Sequence, residues 1–181
     1  MAFIKSRQKI HTPETDAFEV LETPDNVLTL AKKNGIETDP LDISKLVVLL
    51  NIKMRFEPME DDKSGELKKD KKTGQWYMTV NSLHHPHRQR FTIAHEIAHH
   101  IKHGACNDEF IDTTFFRNSE SNAMEAEANR FAAELLMPKK LFDEFVKNNS
   151  SNVKDISEHF QVSSMAVRIR AKQLGYSGHN L

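Results

Sequence analysis

The stretch RFTIAHEIAHHIKH, residues 90–103, decides how this chain is interpreted, because it sets ionisable side chains into a helix that is otherwise apolar. His95 and His99 are four residues apart, so a helix carries them one turn apart on the same face. Two imidazoles placed in this way can both bind one Zn²⁺ ion, at ~2.0–2.1 Å each. Glu96 points aside from that face and can act as a general base on a water molecule at the metal. The motif H-E-x-x-H therefore predicts two metal ligands and a base on one helix.

A second interpretation of the same stretch is a histidine-rich core helix without a metal. Phe91, Ile97 and Ile101 make the segment a buried helix, and buried imidazoles can hydrogen-bond to neighbouring groups. The motif alone does not separate the two interpretations, since both put the histidines inside the protein. A third ligand elsewhere in the chain would favour the metal.

The segment SNAMEAEANRFAAELLMP, residues 121–138, predicts a second helix that supplies this ligand. Glu125 and Asn129 are again one turn apart, so the carboxylate can complete a His₂Glu site while the amide orients a ligand imidazole. Glu127 is the rival third ligand, but it lies about 200° around the helix from Glu125, and both cannot face one metal. We expect Glu125 to be the ligand, because its spacing places the Asn129 amide on the same face of the helix. An apolar stripe marks the buried side of this helix: Ala128, Phe131, Ala132, Leu135 and Leu136.

The remaining chain predicts an α+β fold with a small antiparallel sheet. Segments 24–35 and 39–51 predict two helices, with Gly35 ending the first, and with Asp39 as N-cap and Pro40 in the first turn of the second. Residues 52–57 alternate like a strand, and residues 66–69 and 75–80 predict a hairpin. The sheet is expected to pack on the H-E-x-x-H helix and the second ligand-bearing helix, followed by a helix-turn-helix-like region that ends at Gly175. We divide the chain into an arm (1–23), a metallopeptidase domain (24–148) and a C-terminal helical appendage (149–181).

Composition narrows the function only slightly. The formal net charge of the 181 residues is −1, which gives no general attraction to nucleic acid or membranes. No apolar run approaches the ~20 residues of a membrane-spanning helix, and the first residues lack the apolar core of a signal peptide. Cys106 is the single cysteine, which suits a reducing compartment. The expected location is the cytoplasm.

Taken together, RQRFTIAHEIAHHIKH and EAEANRFAAELLMP resemble the ImmA/IrrE family of metallopeptidases. The YMTVNS strand ahead of the first motif and the closing FQVSSMAVRIRAKQLGY fit the same layout, so that the resemblance covers residues 25–176. It implies a gluzincin-like zinc peptidase with one Zn²⁺ per chain, in which His95, His99 and an acidic residue bind the metal and Glu96 is the catalytic base. It also implies a protein substrate, a helix-turn-helix repressor, whose cleavage derepresses genes of mobile elements or stress responses.

Several features of this activity stay open at the level of sequence. Strand 75–80 could hold a peptide substrate if it lies at the sheet edge, and Tyr77 or Arg130 could stabilise the transition state. The alternative function is a DNA- or repressor-binding regulatory module with a structural metal site and no proteolysis. In that case the cations Arg168, Arg170 and Lys172 would face phosphates. Direct nucleic-acid binding is not our preferred interpretation, because one short unit with few cations attracts DNA weakly.

Overall fold

The structure, a computed structural model, describes residues 21–60, 63–105, 107–112 and 123–176. Within these ranges the chain forms an α+β fold of seven helices and one four-stranded sheet. In chain order the elements are α1 (Pro24–Lys33), α2 (Ile43–Leu49), β1 (Ile52–Glu57), β2 (Gly65–Lys69), β3 (Trp76–Asn81), α3 (Pro86–His103), β4 (Glu109–Asp112), α4 (Ala123–Leu136), α5 (Lys139–Asn148), α6 (Val153–Phe160) and α7 (Ser164–Gln173). The predicted fold class is confirmed.

Local signals explain where the first two helices begin and end. Thr23 caps α1 in a reciprocal capping box with Asn26, and Gly35 follows the helix at a φ of +70°, where glycine is favoured. Helix α2 begins later than Asp39 predicts. Its N-cap is Asp42, whose carboxylate accepts a hydrogen bond from the Lys45 backbone N–H at 3.1 Å.

The sheet has the strand order β1-β3-β2-β4 and is mixed rather than purely antiparallel. Strand β2 pairs antiparallel with both β3 and β4, as a hairpin and its extension should, but β1 pairs parallel with β3. The parallel pair arises because the chain reverses twice between β1 and β3, and the hairpin docks through β3. Strand β3 is therefore central, so the condition under which it could hold a substrate, a position at the sheet edge, is not met. Within the described sheet, β1 and β4 are the edge strands.

Helix α3 lies in the middle of the core, between the sheet and α4. Alternate residues of β3, including Met78 and Val80, point toward it and are fully buried. On its other side α3 packs along α4, whose apolar stripe includes Phe131 and Leu135. This arrangement places one helix between two layers, which is why residues 92–99 of α3 are buried on every side of the helix.

The C-terminal helices share the same hydrophobic core. Phe160 of α6 stacks on Phe142 of α5 with ring centroids 6.0 Å apart, and Val167 of α7 is fully buried. Arg90 of α3 donates hydrogen bonds to the carbonyl oxygens of Phe160 at 3.2 Å and Leu41 at 2.6 Å. The division at residue 149 remains a prediction. No helix within the described ranges is long and apolar enough to cross a membrane.

Candidate metal centre

Helix α3 brings His95 and His99 into direct contact in the protein interior. Their side chains are 1% exposed, and the two Nε2 atoms are 3.0 Å apart. Both imidazoles thus direct the same ring nitrogen to one point, as the four-residue spacing predicts.

Helix α4 brings Glu125 to the same point. Its Oε2 lies 3.1 Å from His95 Nε2 and its Oε1 lies 3.2 Å from His99 Nε2. Burial alone would raise the pKa of the Glu125 carboxyl, but the hydrogen bonds and charges of the two histidines hold that pKa well below its usual value. Across the described ranges this is the only group of three or more His, Cys, Asp and Glu side chains whose ligand atoms all lie within 4.8 Å.

The donor set fits a metal ion. Ligand atoms at ~2.0–2.1 Å from a tetrahedral zinc are about 3.3 Å from each other, close to the 3.0–3.2 Å found here. Two imidazoles and one carboxylate are also the ligand set that leaves a fourth position for a reactant, as catalytic rather than structural zinc sites do.

Asn129 occupies the position expected of a partner for a ligand imidazole. Its Oδ1 lies 3.1 Å from His95 Nδ1. An amide oxygen only accepts hydrogen bonds, so the proton shared with Asn129 is on His95 Nδ1, and Nε2 is the ring nitrogen that a metal ion could bind. One turn of α4 therefore supplies both a carboxylate and the group that sets the tautomer of His95.

The rival carboxylate, Glu127, has other partners. It forms an ion pair with Lys102 at 3.1 Å and lies 3.7 Å from His103 Nε2. These residues belong to the last turn of α3, beyond the two histidines, so Glu127 faces away from the point that His95 and His99 share. The angular argument from the sequence agrees with this arrangement.

Glu96 is fully buried, immediately after His95. Its carboxylate lies against strand β2 at Gly65, where a Cβ atom would be 3.0 Å from Glu96 Oε1 and 2.5 Å from Thr92 Cγ2. The strand approaches α3 this closely because residue 65 has no side chain. Sequence reasoning missed the role of Gly65, since nothing in the sequence pairs β2 with this turn of α3.

The two candidates for stabilising the transition state, and a further histidine of α3, have different surroundings. Tyr77 is on the outer face of the sheet, where it is 39% exposed and packs under the Lys53 ammonium. Arg130 is exposed and lines a groove on another face of α4. His103 is buried beside His99 with its ring centroid 5.3 Å away, and burial lowers the pKa of its imidazole. Of these three side chains, only His103 contacts the candidate metal-ligand group, which consists of His95, His99 and Glu125.

Helix α7 offers fewer cations to a nucleic acid than the sequence suggests. Arg168 and Lys172 are exposed, but Arg170 is only 5% exposed and donates from Nε to the Met137 carbonyl oxygen at 3.0 Å. The expectation that Arg170 could face phosphates was wrong. It is a structural residue that joins α7 to the end of α4.

Comparisons with known proteins agree with the geometry. The family model for the IrrE N-terminal-like domain, Peptidase_M78, matches residues 49–172. A Bacillus subtilis (strain 168) protein named Metallopeptidase ImmA is 29% identical over 114 residues, which cover 62% of this chain and 64% of that protein. A solved structure of a Mycobacterium tuberculosis transcriptional regulator superposes with a TM-score of 0.58 at 17% identity, over 87% of this chain and 48% of that one. This last similarity concerns the fold alone, and the chain spans less than two thirds of either protein.

Proposed function

This chain belongs to the ImmA/IrrE family of metallopeptidases, and from that premise we propose that it is a zinc-dependent peptidase. The observation that carries the proposal is the convergence of His95 Nε2, His99 Nε2 and a Glu125 carboxylate on one point, at 3.0–3.2 Å from each other. These three residues would hold one Zn²⁺ per chain and leave one position for the reactants.

In the proposed mechanism Glu96 is the general base. A zinc ion, when bound, makes a neighbouring water molecule more acidic and polarises the peptide carbonyl. The Glu96 carboxylate accepts the proton of the attacking water and then returns it to the amine that leaves. Asn129 keeps the proton of His95 on Nδ1 throughout, and the contact with Gly65 restricts where the Glu96 carboxylate can move.

The substrate is proposed to be a protein that binds in an extended conformation. Strand β4 has an open edge within the described sheet, and its Phe110 ring touches His99, so an added peptide strand would run beside the metal-ligand group. Main-chain hydrogen bonds to β4 would orient the scissile bond with little demand on side-chain identity. Strand β3, the earlier candidate for this role, is enclosed by β1 and β2.

We further propose that the substrate is a helix-turn-helix transcriptional repressor and that its cleavage derepresses mobile-element or stress genes. Membership in the ImmA/IrrE family supports this choice of substrate, because the resemblance of the sequence to that family implies a helix-turn-helix repressor. A cytoplasmic location is proposed from the single cysteine, Cys106, which lies outside the described residues and suits a reducing compartment.

The first experiment measures zinc by elemental analysis in untagged protein. We expect one equivalent in the wild type, loss of zinc in Glu125→Ala, and full zinc in Glu127→Ala. Glu127 is the matched control because it lies on α4 with Glu125 but pairs with Lys102 of α3. No zinc in the wild type, even after reconstitution at neutral pH, would refute the metal site. It would favour the interpretation of α3 as a histidine-rich core helix without a metal.

The second experiment tests Glu96 as the base. Glu96→Gln should keep its zinc but cleave the repressor about 10²–10⁴-fold more slowly, because a positioned base contributes about that much. Normal cleavage by a zinc-loaded Glu96→Gln protein would rule the mechanism out.

The alternative function remains a DNA- or repressor-binding module without proteolysis. The exposed Arg168 and Lys172 on α7 are the observation that favours it. A gel shift with non-specific DNA at low salt separates the two, since the electrostatic attraction is strongest there. The repressor-binding version predicts that Glu96→Gln retains the full biological output.

A further inference from the structure

The two imidazoles of the metal-ligand group are held in different ways. His95 has a polar partner, because its Nδ1 donates to Asn129. His99 Nδ1 is buried and has no hydrogen-bond partner among the described residues. Metal-binding histidines almost always donate their second ring N–H to a carboxylate, carbonyl or water, which fixes the ring. Among the described residues, therefore, no hydrogen bond to Nδ1 fixes the orientation of the His99 ring.

The His99 ring is instead contacted by Phe110. Its ring lies nearly parallel to the His99 ring, at an angle of 19° and with ring centroids 4.6 Å apart, and Phe110 is only 7% exposed. The rings of His95 and His103 meet His99 at steep angles of 77° and 64°. Rotation of the imidazole about its bond to Cβ would break the stacked contact and drive the ring edges into Phe110.

The position of Phe110 follows from the pairing of β4. Phe110 lies opposite Leu67 of β2, which is itself opposite Met78 of β3, so the ring points to the α3 side of the sheet. The next residue, Ile111, points to the other side and is 49% exposed. A shift of β4 by one residue would remove the ring from His99 altogether. The indole of Trp76 also packs against Phe110, with centroids 6.4 Å apart.

We propose that Phe110 is a positioning residue of the metal centre, which orients the His99 imidazole by stacking as Asn129 orients that of His95 by a hydrogen bond. This inference rests on the proposed zinc site and adds a residue to it that does not touch the metal. It also connects substrate binding with the metal site, because β4, the strand proposed to bind the substrate, carries the Phe110 ring that contacts His99.

The test uses metal-free protein titrated with Co²⁺ and with Zn²⁺ alone, so that no substrate is needed. Phe110→Leu keeps an apolar side chain but removes the ring, and we expect metal affinity to fall about 10–100-fold, as it does when other outer partners of ligands are lost. The visible absorption of bound Co²⁺ should also change, since the His99 donor is no longer fixed. Phe110→Tyr retains the ring and should keep the wild-type affinity and spectrum.

Ile111→Ala is the matched control, because it truncates the neighbouring residue of β4 on the face away from His99. It should bind both metals like the wild type. If Phe110→Leu fails to fold, Phe110→Met fills the same space without a ring, and the same loss of affinity is expected. Wild-type affinity and an unchanged Co²⁺ spectrum in a folded ring-less variant would overturn the proposal. Failure of the wild type to bind either metal would instead refute the zinc site, and with it this inference.

Discussion

The close approach of β2 to α3 can be tested by replacing Gly65 with alanine. An added Cβ atom would lie 2.5 Å from Thr92 Cγ2 and 3.0 Å from Glu96 Oε1. Neither element can retreat easily: Gly65 is paired with Val80 and Asp112 in the sheet, and Thr92 is fully buried. Gly65→Ala should therefore strain the packing and displace the Glu96 carboxylate.

The expected size of the effect follows from the contact distances. Carbon atoms pack best at about 3.5–4.0 Å, so the Cβ–Cγ2 contact is about 1 Å too short. Overpacking of this kind costs about 1–3 kcal/mol. Thr92→Ser removes the clashing methyl group and should by itself cost about 0.5–1.5 kcal/mol, as the loss of one buried methyl does. In the double variant the alanine methyl takes the space that Cγ2 left, so the total cost should be smaller than the sum of the two single costs.

Two assays separate the effect on stability from the effect on Glu96. Urea unfolding of the metal-free proteins, followed by circular dichroism, gives the free energies of unfolding for the double-mutant cycle. Cleavage of the proposed repressor substrate by the zinc-loaded proteins gives the rate. Because the contact with Glu96 Oε1 persists in Gly65→Ala/Thr92→Ser, we expect stability to recover while the rate stays low and zinc binding is kept. Strictly additive free energies, or a Gly65→Ala protein as stable and active as the wild type, would refute the reasoning.

Two further predictions concern the C-terminal helices. Asp143 accepts hydrogen bonds from Lys139 and the Tyr176 hydroxyl, at 2.7 Å each, and these bonds hold the pKa of its carboxyl below the usual value. Because the pKa is lower in the folded state than in the unfolded state, this stabilisation is present at neutral pH and is lost as the pH falls through the folded-state pKa. Asp143→Asn should therefore cost under about 1 kcal/mol at pH 7, given solvent screening, and almost nothing in strong acid. Thermal unfolding at several pH values checks this, and an equal cost at every pH would contradict it. Arg170→Met leaves the Met137 carbonyl oxygen without its donor and should cost about 1–3 kcal/mol of the free energy of unfolding. Unchanged urea unfolding would show that the guanidinium does not stabilise this junction.

The parts of the site that sequence could predict are the ones set within a single helix. His95, Glu96 and His99 acquire their relation from helical spacing alone. The preference for Glu125 over Glu127 likewise needed only spacing along α4, because Asn129 lies one turn from Glu125 on the same face. The two strands of the hairpin were also predictable to within one residue, because their alternation is local.

The parts that sequence did not predict depend on contacts between distant segments. Strand β4 has four residues, too few for a periodic signal, so the Phe110 ring beside His99 could not be anticipated. The central position of β3 follows from the order in which strands dock, and alternation along one strand carries no information about its neighbours. The close approach at Gly65 is likewise a property of two elements together.

The burial of α3 has a consequence for the kinetics of the site. Residues 92–99 form eight consecutive buried positions, so this part of the helix has no side open to solvent and its amide hydrogens should exchange only when the whole protein unfolds. Glu125, in contrast, belongs to the first turn of α4, and its side chain is 34% exposed. Helix ends open far more often than helix centres. The rate at which a metal ion escapes should therefore follow the opening of one turn of α4, while the two histidines stay in place.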